Sequence, residues 1–284
     1  MNQTRPHGLG VHSVGPWPFV TLRHYTHHGR RLVWRSRDHR KGLLPTVGAV
    51  DIEAIPVWQT AAYNWATGAL FAIGAFFFML GCVDTLTAAS DGGPSAFRIA
   101  VIFFAGSIPF TTAAYLQHFQ SANAGEFSTD PNAAQPRRIA LIGWRPHNPG
   151  WLSTFTQFIG TIAFNFNTFD ALWPPAGWLM QNLVIWLPDL IGCTLFLFSG
   201  YLAFIEAGHA YWSWRPKTLD WWIVFVNLVG CVFFMTSGIL DYVPRHPEAG
   251  WVPVAATVQL WIGALGFFVG AVLLMRESRL KTRK

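Results

Sequence analysis

The chain has 284 residues, of which 52% are hydrophobic and only 12% charged, with a formal net charge of +6. Soluble domains carry about 25% charged residues, so the composition argues against an ordinary soluble domain and for lipid-facing helices. The three cysteines, Cys82, Cys193 and Cys231, supply neither a disulfide framework nor a zinc-ligand spacing.

Residues 1–60 form a basic segment broken by prolines, with no apolar run long enough for a cleavable signal. The first crossing is therefore expected to serve as the insertion signal. His24, His27 and His28 lie in a basic stretch running to Lys41. Flanking Arg and Tyr make an ordinary cationic surface the expectation there, in preference to a metal site. Anionic lipid attracts juxtamembrane cations, whereas nucleic-acid binding would want more aromatic residues than Tyr25 and Trp34. The expected partners of this arm are thus the bilayer and anionic lipids, with no nucleic acid.

Six stretches have the roughly 20 apolar residues that a spanning helix needs: Trp65–Leu86, Phe97–Phe119, Trp151–Leu172, Pro188–Ala207, Trp221–Tyr242 and Val254–Met275. The expected fold is an all-α membrane protein of six transmembrane helices. Its parts are hairpins over 61–125, 151–212 and 213–277, a loop over 126–150, and a basic tail over 278–284. Eighteen of the 20 Lys and Arg residues fall on one side of these spans, leaving Arg98 and Arg245 opposite. Basic loops resist translocation, which places both termini in the cytoplasm. Reporter fusions after Pro174 and Pro247 should then read outside, and fusions after Gln135 and at the C-terminus inside.

The spans repeat. Trp144-Arg145-Pro146, Trp151, Gln157, Gly160 and Phe164 return as Trp214-Arg215-Pro216, Trp221, Asn227, Gly230 and Phe234. A fainter copy holds Trp65, Gly74, Phe78 and Asp84 against Trp151, Gly160, Phe164 and Asp170. The returning helices match as well, with Gly106, Phe110 and Gln120, then Gly192, Phe196 and Glu206, then Gly263, Phe267 and Glu277. Units of two crossings keep one orientation, so the hairpins are parallel repeats and a pseudo-threefold arrangement is one way to close them. Trp144, Arg145, Trp214 and Arg215 read as interface anchors, an aromatic and a phosphate-pairing cation in each copy. The glycines read as packing positions, where backbones approach closely. Gly266 and Gly270 add a small-xxx-small spacing.

Polar groups inside lipid are the places to look for function. Asn165 and Asn167 lie midway along the third span, where interhelical hydrogen bonds compete with a ligand contact. Asp84, Asp170 and Asp241 recur at helix C-termini, where the dipole disfavours an anion. They call for partners such as Arg98, Arg245 or a bound cation. Gln120, Glu206 and Glu277 form an inner set that Arg215, Arg276 or Arg279 could neutralise. Asp189 after Pro188 reads as the first turn of the fourth span. No histidine sits at mid-depth, which weakens a membrane haem, and nucleotide, zincin and nucleophile-elbow motifs are absent. No cofactor and no metal are expected.

The Gly-x-x-x-Phe spacing, the run Ser199-Gly-Tyr-Leu-Ala-Phe-Ile-Glu206 and the paired Trp-Arg-Pro hairpins resemble YrhK-like bacterial membrane proteins of actinobacterial type. The resemblance spans Trp144–Glu277, more weakly Trp65–Gln120, and leaves out the first 60 residues. It implies a multi-pass bacterial plasma-membrane protein and brings no activity or catalytic residues with it. The leading expectation is a non-enzymatic protein with a structural or accessory role. The alternative is a small-solute or ion transporter or channel, with Asn165, Asn167 and the outer aspartates lining its path. A membrane enzyme stands behind both. A homo-oligomer, or an unidentified membrane partner, stays open.

Overall fold

A computed structural model describes residues 10–27, 29–43, 55–88, 92–129, 139–246 and 249–281. The proposed fusion points at Gln135 and Pro247 and the ring of His28 lie outside the described residues, as do the side chains of His27 and Lys281.

The chain is mostly helical, and the basic N-terminal stretch, whose folding the sequence left open, has a fold of its own. It begins with a three-stranded antiparallel sheet, β1 (His12–Val14), β2 (Leu22–His27) and β3 (Arg30–Arg35), in the order β1-β2-β3. Leu22 pairs with Arg35 and His24 with Val33. Gly29, at φ +75°, supplies the left-handed conformation that closes the β2–β3 turn. Tyr25 and Trp34 are buried against Phe127, with ring centroids 5.2 and 5.6 Å away, and the Arg23 guanidinium lies 4.4 Å from the Phe127 ring centre. The two aromatics therefore form a small core. The all-α expectation is corrected here, because β-branched and aromatic alternation found a partner in a distant loop residue.

A five-residue helix α1 (Ser36–Arg40) follows. Gly42 then turns the chain at φ +67°, where a Cβ would lie 2.3 Å from the Gln59 carbonyl oxygen. The long helices are α2 (Ala61–Thr87), α3 (Ala96–Ala122), α4 (Pro149–Asp170), α6 (Leu187–Gly208), α7 (Leu219–Leu240) and α8 (Trp251–Lys281), with short α5 (Trp178–Gln181) before α6. Side chains cap several of their starts. Thr60, Ser95 and Asn148 accept from the backbone N–H groups of Tyr63, Arg98 and Trp151, satisfying donors that a helix start leaves open.

Pro188 and Asp189 lie in the first turn of α6, as the sequence led us to expect, but the rod they belong to begins earlier. A π-helical stretch, Asn182–Trp186, joins α5 to α6, so that Trp178–Gly208 runs as one 31-residue rod. Proline cannot donate to the preceding turn, and the widened turn accommodates that loss. Asn167 Nδ2 donates to the Ile185 carbonyl in this turn at 2.9 Å.

Five helices among the described residues are long and apolar enough to cross a membrane: α2, α3, the α5–α6 rod, α7 and α8. The sixth expected span, α4, has the 22 residues of α7 and is about 33 Å long at 1.5 Å per residue. Its hydropathy is lower because Ser153, Thr154, Thr156, Gln157, Thr161, Asn165, Asn167 and Thr168 lie along it. Half of those groups bond within their own helix. Thr156, Thr161 and Thr168 donate to carbonyls three or four residues back.

The six long helices close into a ring, each packing on the next in the order α2, α3, α4, α6, α7, α8 and back to α2. Three helix pairs cross through facing glycines. A Cβ on Gly74 would lie 2.8 Å from the Gly106 carbonyl oxygen, one on Gly160 3.2 Å from that of Gly192, and one on Gly230 2.9 Å from that of Gly263. On the ring axis Phe110, Phe196 and Phe267 form a triangle with centroids 5.6–5.9 Å apart. Phe78, Phe164 and Phe234 back them at 5.9, 5.1 and 5.0 Å. Aromatic pairs of this kind each add roughly 0.5–1.5 kcal/mol beyond area burial, and the six rings belong to one packed core at the centre of the ring.

Candidate functional site

At the end of the ring that carries the N-terminal fold, α1 inserts three cations between the helices. Arg37, Arg40 and Lys41 are spaced i, i+3 and i+4, which puts them on one helical face, and each is less than 9% exposed. Arg37 makes a two-pronged pair with Glu277, Nη1 to Oε1 at 2.6 Å and Nη2 to Oε2 at 3.0 Å. Lys41 Nζ reaches the same carboxylate at 2.9 Å. Arg40 Nη2 meets Glu206 Oε2 at 2.7 Å, and Ser36 Oγ donates to Glu206 Oε1 at 2.7 Å. Gln120, the third member of the inner set, donates to Asn64 Oδ1 at 3.1 Å. The inner acids are thus held by the N-terminal fold and not by Arg215, Arg276 or Arg279, a correction that follows from α1 folding inward. Arg279 lies instead 5.6 Å from the Trp65 ring.

Gly150, at the start of α4, makes room for this network, since a Cβ there would lie 2.4 Å from Glu206 Oε1 and 2.9 Å from Arg40 Nε. Further contacts seat the cap. His39 Nε2 donates to the Gly125 carbonyl at 3.0 Å, Asn64 Nδ2 to the Lys41 carbonyl at 3.0 Å, and Tyr211 Oη to the Trp17 carbonyl at 2.7 Å. His209 Nδ1 lies 3.0 Å from Thr21 Oγ1.

The charges here are shaped by burial. Arg37 is desolvated, yet the Glu277 carboxylate beside it more than compensates and raises its pKa above the ordinary guanidinium value. Lys41 goes the other way. Burial first, then the Arg37 cation, pull it down to about 7 from 10.5 in spite of Glu277, with Arg40 adding to the fall. Burial likewise lowers His39, and it lowers His209 to about 4 with help from Arg215 and Arg35. For Lys41 the sign follows from linkage. The unfolded chain holds the proton more tightly, so this group makes folding more favourable as pH rises from about 7 towards 10.5, and contributes no pH dependence below 7. Thermal unfolding of the purified chain should show this rise, and Lys41→Met should abolish it. An unchanged pH profile in that variant would contradict the assignment.

Between this cap and the phenylalanine layer lies a chamber of ≈ 90 Å³. Arg37, Arg40, Lys41 and Glu206 line its mouth, and Phe71, Phe196 and Phe267 its floor. Its walls carry the amides of Gln117, Gln157 and Asn227 and the hydroxyls of Ser153, Thr154 and Ser199. Ser153 and Ser199 exchange hydrogen bonds, Ser153 Oγ to the Ser199 carbonyl at 3.0 Å and Ser199 Oγ to the Ser153 carbonyl at 2.7 Å. Gln117, Gln157 and Asn227 are partly exposed. None of the three makes a side-chain hydrogen bond to another described residue. A membrane interior rarely leaves three amides without partners unless they face water or a ligand.

The residues singled out in the sequence sit elsewhere. Asn165 accepts from Thr111 Oγ1 at 3.3 Å and Asn167 ties α4 to the π-helical turn, both between helices. Asp84 pairs with Arg98 at 3.2 Å, Asp170 ends α4, and Asp241 accepts from Ser237 Oγ at 3.4 Å. None of the five lines the chamber, and they do not come together. Trp144 and Trp214 are exposed and pack edge-on against buried Trp151 and Trp221, with centroids 5.6 and 5.0 Å apart. Arg145 donates to the Ala124 carbonyl. Gln157 and Asn227 were visible as equivalent repeat positions, and the i, i+3, i+4 spacing of the cations was there to be read. Neither signal says that the two groups share a cavity. Compared with protein-family models, curated proteins and solved structures, the chain matches none.

Proposed function

We propose that the chain is a non-enzymatic, multi-pass plasma-membrane protein that holds a small polar solute in its central chamber, opening on the cytoplasm, as a carrier would. The observation that carries this reading is the set of amides of Gln117, Gln157 and Asn227, without side-chain partners among the described residues, between a charged cap and an aromatic layer. That layer argues against an open channel. Glu206, the carboxylate that lines the chamber, is tied up by Arg40 and Ser36, which favours a holding site over acid–base chemistry on that group.

The same proposal includes six crossings from three parallel hairpins, both termini in a bacterial cytoplasm, and kinship with YrhK-like membrane proteins. The equivalent glycine crossings support the repeat, and the closed helix ring supports a crossing for α4. The distribution of basic residues supports the orientation. Anionic lipid at the exposed basic strand residues, such as Arg30 and Arg31, and at the Trp-Arg-Pro corners fits that frame.

Two measurements test the reading. A reporter fused after Gly143 should read inside and one fused after Pro174 outside; the same side for both would remove the α4 crossing. Asn227→Cys, in a background with Cys82, Cys193 and Cys231 replaced by alanine, should react with a small charged thiol reagent from the cytoplasmic face only. Labelling from the outer face, or none from either, would end the cytoplasm-facing chamber.

A further inference from the structure

From the same chamber we infer a more specific ligand: a small monovalent anion of the nitrate, formate or chloride kind. This inference rests on the chamber being a solute site and adds the chemistry of what it holds.

Three observations converge on negative charge. Of the ionisable groups lining the chamber, Arg37, Arg40 and Lys41 are cations and only Glu206 is a carboxylate. Glu277 neutralises part of that charge from behind, bonding Arg37 and Lys41 together, and Asp38 and Asp220 also act on Arg37. Lys41, pulled down to about 7, can take up or release its proton, and an anion beside it would hold it as the cation. Secondly, Arg40 is 92% buried, lines the chamber, and its Nε–H has no hydrogen-bond partner among the described residues. A buried guanidinium N–H without an acceptor is costly, and an anion would fill that vacancy with a charge-assisted bond. Thirdly, the wall amides bring N–H donors without adding charge. Gln117, Gln157 and Asn227 can turn their NH2 groups to an anion, while the hydroxyls of Thr154 and Ser153 already donate to carbonyls.

Size sets the limit. In a chamber of ≈ 90 Å³, where about 10–15 Å³ of such space holds one water, there is room for a handful of waters or a partly dehydrated small anion, and too little for a nucleotide. The phenylalanine floor stops such an ion from passing further, so the resting state holds the anion and does not conduct it.

The test uses the full chain purified in detergent, in sodium gluconate, whose anion is too large for the chamber. Sodium nitrate, formate or chloride replaces gluconate at constant ionic strength while thermal unfolding is followed by tryptophan fluorescence. A saturable rise in Tm is expected for the small anions, with half-saturation at least tenfold weaker in Asn227→Leu and in Gln157→Leu. Both variants leave every ion pair of the cap in place, and Gln117→Leu serves if either fails to fold. An equal response in wild type and variants would put the anion elsewhere and overturn the proposal. A saturable response to a neutral probe (glycerol or formamide) with none to the anions would overturn the anion and leave the solute chamber standing. No response to either class would remove both.

Discussion

Glu277→Ala is expected to release the N-terminal fold from the helix ring. That one carboxylate accepts from both Arg37 and Lys41, at 2.6–3.0 Å, and all three groups are almost wholly buried. A buried ion pair with both partners present is of small net benefit, because desolvation opposes the attraction. Removing one partner is different, since it leaves the other charge buried and unpaired, typically at about 3–5 kcal/mol. Here two cations lose their partner at once, although Lys41 can shed its proton, having a pKa near 7. Limited proteolysis between Arg40 and Gln59 should become fast in Glu277→Ala while the ring helices stay protected, and the Tm should fall. Asp84→Asn offers the contrast. Its partner Arg98 is 64% exposed, and pairs of that kind contribute about 0–1 kcal/mol. Should the two variants prove equally mild, the cap is not held by its ion pairs.

The aromatic layer carries the second large effect. Phe196 is 1% exposed and touches Phe110, Phe164, Phe234 and Phe267. Phe196→Ala deletes a ring that neighbours cannot replace, and Phe→Ala changes in packed cores cost roughly 3–5 kcal/mol. The variant should unfold at clearly lower temperature. In proteoliposomes it should also leak small ions that the wild type retains, because Phe196 floors the chamber and is one corner of the axial triangle. Phe196→Leu should restore most of the stability and the barrier, since it returns most of the lost volume. A leak equal in wild type and Phe196→Ala would show that the barrier lies elsewhere.

Much of the scaffold was legible in one dimension. Long apolar runs announce lipid-facing helices because each turn must satisfy its own backbone in hydrocarbon. Glycines spaced with phenylalanines mark helix crossings because backbones approach only where no Cβ intervenes, as at Gly74 against Gly106 and Gly230 against Gly263. The same reading found Glu206 and Glu277 as equivalent positions without finding their partners. Asn165 and Asn167 illustrate the opposite error. Mid-helix amides attract suspicion, but which face they occupy depends on the helix beside them, and here Thr111 and the Ile185 carbonyl accounted for both.

Residue order alone therefore determined that the chain is mostly helical and carries helices apolar enough for a membrane, because hydropathy acts over a turn or two of helix. Only folding in three dimensions decided that a basic stretch would enter the bundle and not rest on lipid. Arg37 meets an acid 240 positions away and Arg40 one 166 away. A cation takes whichever partner packing brings within about 3 Å, and no local pattern encodes that choice. The chamber has the same origin, since it is the space left where six helices and a cap fail to fill the axis.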